Sequence, residues 1–222
     1  MTCPNKNYLS IVDYGMGNLF SITNICKYAG IEAVKTSEKS VIENSLAVIL
    51  PGVGAFKDAM FALKKLALID VLINAVNNGK PFLGICLGMQ LLMSESEEFG
   101  NNKGLNIIEG RVIRFPNLDS RNNKIRVPHI GWSKIYRPQN FAGNCPLLNN
   151  IRDNDLMYFV HSYFVVPKNK DIVVTYSEYC GVRFCSGIQK GNLFAFQFHP
   201  EKSGFVGIQI FKNLKEIMCK NA

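Results

Sequence analysis

Between residues 8 and 100, short unbroken apolar runs alternate with stretches whose apolar residues recur every three or four positions. Leu9-Ser10-Ile11-Val12-Asp13, Leu46-Ala47-Val48-Ile49-Leu50 and Pro81-Phe82-Leu83-Gly84-Ile85 have the length and composition of strands covered on both faces. A shorter strand is expected near Ala33-Val34. Helical spacing predicts helices from Leu19 to about Ala29, Asp58 to Leu66, Ile69 to Asn78, and from Leu87 onward. The last should carry Leu87, Leu91 and Met93 near one face, with Ser94, Glu95, Glu97 and Glu98 toward its end.

After Gly100 the texture changes. Leu105 to Phe115, Ser133 to Tyr136, Met157 to Val166, Ile172 to Tyr176, Val182 to Gln189 and Leu193 to Phe198 are strand-like, with no ten-residue helix between them. Lys190-Gly191-Asn192 has the composition of a hairpin turn. Phe205 to Cys219 repeats Ile208, Phe211, Leu214, Ile217 and Met218 at helical spacing and should close the core. The expected fold is α/β: an open, mostly parallel sheet with flanking helices and additional antiparallel strands in the C-terminal half. No change of composition marks a linker, so residues 1–222 read as one domain.

Composition narrows the class. With 47% hydrophobic residues in 222, the chain can bury a large core without cross-links. Seven cysteines (3, 26, 86, 145, 180, 185 and 219) form no C-x-x-C pair, and only three histidines are present. This argues against a disulfide framework and a structural zinc site, and no other metal or cofactor is implied. The start, Met1 to Asn7, is polar, and no apolar run reaches the ~20 residues of a membrane span, so a soluble, cytoplasmic protein is expected. The net charge of +8 raises nucleic-acid binding. Its densest cluster, Arg121, Lys124 and Arg126, with Arg111 and Arg114 just before it, lacks interleaved aromatics. A basic face for an acidic protein partner or an anionic substrate is at least as good a reading.

Candidate chemistry centres on Cys86. It stands where the central strand becomes a helix, with Gly84 and Gly88 two residues to either side. Those glycines permit the sharp reversal of a nucleophile elbow, with cysteine in place of serine. A helix N-terminus there favours thiolate over thiol. A free thiol, with pKa ~8.5, is only a few per cent thiolate at neutral pH, so a base is still required. Without one, Cys86 reads equally as a buried core thiol. The base is offered by His199-Pro200-Glu201 after the last strand. In extended chain residues two apart share a side, so Glu201 can fix the tautomer of His199. Pro51-Gly52-Val53-Gly54 reads as a plain loop or, through the freedom of its glycines, as an oxyanion site. Tyr14-Gly15-Met16-Gly17-Asn18 reads as a tight strand-to-helix turn, because Phe20 breaks the dinucleotide-binding pattern.

Together these segments resemble the class I, triad-type glutamine amidotransferases. The general likeness rests on Pro51-Gly52-Val53-Gly54, Gly84-Ile85-Cys86-Leu87-Gly88-Met89-Gln90 and His199-Pro200-Glu201. A narrower one, to the glutaminase subunits of imidazole glycerol phosphate synthases, rests on four further segments. These are Asp13 to Leu19, Pro128-His129-Ile130-Gly131-Trp132, Phe159-Val160-His161-Ser162-Tyr163 and Phe196 to Ser203. The resemblance implies a catalytic triad of Cys86, His199 and Glu201. It implies an oxyanion hole from the Gly52-Val53 backbone and the Leu87 N–H. It also implies that Gln90, Glu98 and the His161-Ser162-Tyr163 backbone hold L-glutamine. Asn18 and Trp132 fall where the family meets its synthase (cyclase) partner, which takes ammonia to make imidazole glycerol phosphate and AICAR in histidine biosynthesis. Position 133 is serine, where the family usually carries asparagine. Related subunits feed ammonia to enzymes that amidinate surface sugars, so that alternative stays open. A catalytically silent scaffold or nucleic-acid-binding module is the alternative of another class.

Overall fold

A computed structural model describes residues 7–119, 121–139 and 143–220; Cys3 and the rest of 1–6 lie outside the described residues. The first half is built from β1 (Leu9–Val12), α1 (Leu19–Tyr28), β2 (Ala33–Thr36), α2 (Lys39–Asn44), β3 (Ala47–Leu50), α3 (Phe56–Lys65), α4 (Ile69–Asn77), β4 (Phe82–Ile85) and α5 (Leu87–Leu91). The second half adds β5 (Met93–Ser96), β6 (Asn102–Lys103), β7 (Ile108–Arg114), β8 (His129–Lys134), β9 (Leu156–His161), β10 (Tyr163–Pro167), β11 (Val173–Tyr179), β12 (Val182–Lys190), β13 (Leu193–Phe196) and α6 (Gly204–Lys220).

The main sheet has the order β2-β1-β3-β4-β13-β12-β10-β7-β5-β6, with β11 also paired to β12. Strands β2, β1, β3, β4 and β13 are mutually parallel, and β12, β10 and β11 enter antiparallel. The architecture is the mixed α/β sheet expected. Strands β12 and β13 form a hairpin in which Lys190 pairs with Leu193 across Gly191-Asn192, with Gly191 at φ +59°.

Both faces of the parallel sheet are buried, and side-chain alternation sorts them. Leu9, Ile11, Ile49, Leu83, Ile85, Phe194 and Phe196 pack toward α1 and α6. Val12, Val48, Leu50, Phe82, Leu193 and Ala195 pack toward α2, α3 and α4. Period-two burial on two faces explains why these strands read as continuous apolar runs.

Three expectations are corrected. The helix after Cys86 ends at Leu91, after five residues, and Met93–Ser96 is a strand parallel to β7. Edge pairing overrides helical spacing there, and the Ser94 hydroxyl is engaged by Asn106 and the Gly110 N–H. The run Met157–Val166 is two strands in different sheets, broken at Ser162. Strand β9 pairs with β8 in a separate two-stranded sheet, while β10 joins the main one. Finally, the strand expected at Ser133–Tyr136 lies earlier, at His129–Lys134.

Candidate active site

Strands β1, β3, β4 and β13 run parallel, so the segments following them share one edge of the sheet. Those segments are Tyr14, the Pro51–Gly54 loop, Cys86 and His199. Cys86 occupies φ +53°, ψ −108°, a conformation L-residues rarely adopt and one that costs roughly 1–3 kcal/mol. The elbow needs Gly88 in particular: a Cβ there would lie 1.9 Å from the Leu50 carbonyl oxygen. Leu50 ends β3, so the absence of a side chain lets the elbow press against the neighbouring strand.

His199 and Glu201 meet as expected, by a different local geometry. Pro200–Lys202 is a turn of 3-10 helix rather than extended chain. His199 Nδ1 lies 2.7 Å from Glu201 Oε1, with both side chains almost wholly buried. The turn is tied to β9: the His199 N–H donates to the Tyr158 carbonyl at 2.8 Å, and the Tyr158 N–H donates to Ser203 Oγ at 3.0 Å. His199 Nε2 is buried without a hydrogen-bond partner. Burial alone would lower its pKa. Cys86 and then Glu201 outweigh that and hold the imidazole well above its ordinary value, so a proton on His199 is favoured.

A cavity of about 440 Å³ opens at this edge. Of the residues singled out in the sequence, Val53, Cys86, Leu87, Gln90, Glu98, His161, Ser162 and Tyr163 line it. His199 and Glu201 lie behind Cys86 and do not. Gly52 is not part of the lining; a Cβ there would lie 2.6 Å from the Tyr14 hydroxyl and 2.8 Å from Leu87 Cβ. Asn18 and Trp132 stand outside the cavity. Asn18 caps α1, its Oδ1 accepting the Ser21 N–H. Trp132 is 53% exposed and packs edge-to-face on Tyr158, opposite it in the β8–β9 pair. Gly54, Pro128, Val160 and Lys202 also line the cavity; the sequence offered them only as members of longer segments, with no role of their own. Among the described residues no group of three His, Cys, Asp or Glu could hold a metal ion, and no helix is long and apolar enough to cross a membrane.

The loop after β3 is clamped at both ends. Tyr14 donates its hydroxyl to the Pro51 carbonyl at 2.7 Å, and the Phe56 N–H donates to Glu98 Oε2 at 2.6 Å. Burial, and then the Cys86 charge, raises the Tyr14 phenol, which keeps it a donor. Burial likewise raises the Glu98 carboxyl, against the Phe56 N–H and with help from Asp58.

Two other buried histidines are paired here, His161 on the cavity wall and His129 against it. His161 Nδ1 is 2.8 Å from the Tyr163 carbonyl, and its Nε2 is 3.1 Å from His129 Nδ1. Burial pushes His161 down to about 3 and His129 down to about 4. In the unfolded chain both bind a proton near pH 6.5. Folding must strip those protons, so stability is lost as pH falls below about 6.5, by about 2 kcal/mol per histidine at pH 5. Urea melts at pH 7 and pH 5 should show this loss, and His129→Gln should reduce the difference. A melt unchanged until pH 4 would mean the histidines are not buried neutral.

A cysteine elbow facing a histidine–glutamate pair on such a sheet is the arrangement of the class I glutamine amidotransferases, and the chain belongs to that family. The family pattern, glutamine amidotransferase class-I, matches residues 10–214. Within it, the chain is 43% identical over 210 residues to imidazole glycerol phosphate synthase subunit HisH of Geobacillus sp. (strain WCH70), covering 95% of this chain and 97% of that one. It is 42% identical over 206 residues to the same-named subunit of Aquifex aeolicus, covering 92% and 94%. Among solved structures, a chain of PurLQS from Thermotoga maritima superposes with a TM-score of 0.71 at 19% identity, over 96% of this chain and 99% of that one. The glutaminase domain of CTPS from Trypanosoma brucei gives 0.64 at 15%, over 96% and 94%. At those identities the structures speak for the fold alone.

Proposed function

We propose that this chain is the glutaminase subunit of an imidazole glycerol phosphate synthase, hydrolysing L-glutamine and passing the ammonia to a synthase partner. The observation that carries the chemistry is the unpartnered His199 Nε2, buried beside Cys86 and backed by Glu201. The Cys86 sulfur attacks the side-chain amide carbon, and the carbonyl electron pair moves onto oxygen. Leu87, first in α5, has no helical partner for its N–H and, with Val53 on the cavity wall, supplies the oxyanion donors. The oxyanion collapses, the C–N bond breaks, and His199 gives its proton to the departing ammonia. His199 then takes a proton from water, which attacks the thioester and releases glutamate and the Cys86 thiolate.

Glutamine is held by groups that still have capacity. Gln90 spends its Nε2 protons on the Tyr163 carbonyl and on Gln197 Oε1, leaving its own Oε1 for the substrate ammonium. The Tyr163 carbonyl already accepts from Gln90 and His161, so the Ser162 segment must bind through other atoms.

The partner surface is read from Trp132 and its exposed neighbour Ile130 on β8, together with Asn18 at the start of α1. Trp132 opposes Tyr158, whose backbone holds the His199 turn, so docking on Trp132 bears on the base. Glutaminase activity is therefore expected to be low for the chain alone and to rise about 5–150-fold with the partner and its nucleotide substrate, the range of ordinary coupling energies. Glutamate release would be measured in those states, with Trp132→Ala expected to respond less. Equal rates throughout would remove the coupling. No glutamate in any state would sink the enzymatic reading, and activity only with a sugar-modifying partner would replace the histidine pathway.

A further inference from the structure

Gln197 lies outside the cavity and is wholly buried. Its Nε2 nevertheless sits 3.6 Å from Cys86 Sγ. Which end of this amide faces the sulfur is fixed by its neighbours. The Tyr163 carbonyl can only accept, so the Gln90 atom 2.9 Å from it is the NH2. That same nitrogen lies 3.0 Å from Gln197, whose facing atom is therefore the carbonyl oxygen. The Gln197 NH2 is left pointing at sulfur.

The anchor of this chain is held in turn. A neutral His161 must carry its proton on Nδ1 to donate to the Tyr163 carbonyl, so its Nε2 accepts from His129 Nδ1–H. His129 Nε2 then accepts from the Ser133 hydroxyl at 2.9 Å. Donors thus run one way from β8 to the Tyr163 carbonyl, and from Gln90 through Gln197 to the nucleophile. The opposing contact is the Val160 carbonyl, 3.7 Å from Sγ, which suits a thiol but repels a thiolate.

We propose that Gln197 is a further catalytic residue, whose locked amide N–H stabilises the Cys86 thiolate both as attacking group and as leaving group. Its consequence for turnover rests on the glutaminase reading; the contact with sulfur does not. Alkylation of Cys86 by iodoacetamide needs no glutamine and so separates the two. In complex with the partner, Gln197→Met keeps the length but lacks the donor, and Gln197→Glu turns a negative oxygen toward sulfur. A hydrogen bond to a charged group predicts that Cys86 alkylation at pH 7 falls about tenfold or more in the Met variant and further in the Glu variant. The loss should shrink as pH is raised, with kcat reduced and KM little changed. Wild-type alkylation rates in a folded Gln197→Met protein would overturn the proposal. Reduced alkylation with unchanged kcat would keep the contact and overturn its catalytic role. Should the variants fail to fold, the wild-type protein still decides. The Gln197 side-chain amide signal in a nitrogen–proton NMR spectrum should move when Cys86 is alkylated, and an unmoved signal contradicts the contact.

Discussion

Cys86→Ala is expected to abolish glutamine hydrolysis, lowering kcat by about a millionfold, while the chain still folds and still binds its partner. Losing a nucleophile that works with a base as one unit carries a penalty of that order, because neither member acts without the other. The structural cost should be small. Cys86 is buried against the elbow, and truncating one sulfur typically costs ~1 kcal/mol. The strained φ of +53° is unchanged, since alanine and cysteine meet the same backbone clash. The other described cysteines, Cys26, Cys145, Cys180, Cys185 and Cys219, do not line the cavity and offer no substitute. Glutamate release by wild type and variant, each saturated with partner, measures the effect, and thermal melts check the fold. Residual activity near wild type would remove Cys86 from the reaction.

Glu201→Gln should be the next most damaging single change, costing about 10⁴ in kcat with KM nearly unaltered. The amide fits the same space, but it carries no charge to balance an imidazolium and can present a donor to Nδ1. Glu201 Oε1 holds that nitrogen at 2.7 Å in a setting almost closed to water, so no solvent can stand in for the missing charge. The variant should also change stability at high pH. A histidine raised above its ordinary value by folding stabilises the fold fully below about pH 6.5 and loses that contribution as pH climbs through the raised value. With Glu201 gone, part of that alkaline loss should disappear. A raised KM at unchanged kcat would instead make Glu201 a binding residue, against its position behind Cys86.

What the sequence showed and hid follows from where information is local. Strands β1, β3 and β4 were legible because both faces are buried and every residue in them is apolar or small. Cys86 and His199 stood out as candidates because local punctuation marks them, Gly84 and Gly88 around Cys86 and Pro200 after His199, and the structure brings Glu201 to His199 through the turn at Pro200–Lys202. Helix α2 was invisible, since only Ile42 of its six residues is buried and its pattern is otherwise polar. The one-turn length of α5 was equally hidden, being set by the pairing of Met93–Ser96 with β7. Gln197 lies in the segment Phe196 to Ser203, but nothing in the sequence gave it a role. Its partner Gln90 is 107 residues away, and only the folded sheet brings the two amides and Cys86 together. Lys202 and Pro128 on the cavity wall were likewise left without a role of their own.

Glutamine should be cleaved through a thioester on Cys86, and trapping that intermediate tests the chemistry most directly. The chain, saturated with its partner, would be quenched in acid during glutamine turnover, digested and examined by mass spectrometry. The peptide containing Cys86 should be heavier by one glutamyl group, with the adduct absent in Cys86→Ala and lost on brief alkaline treatment. Steady glutamate production with an unmodified Cys86 peptide, or with the glutamyl group on another residue, would contradict a thioester route through Cys86.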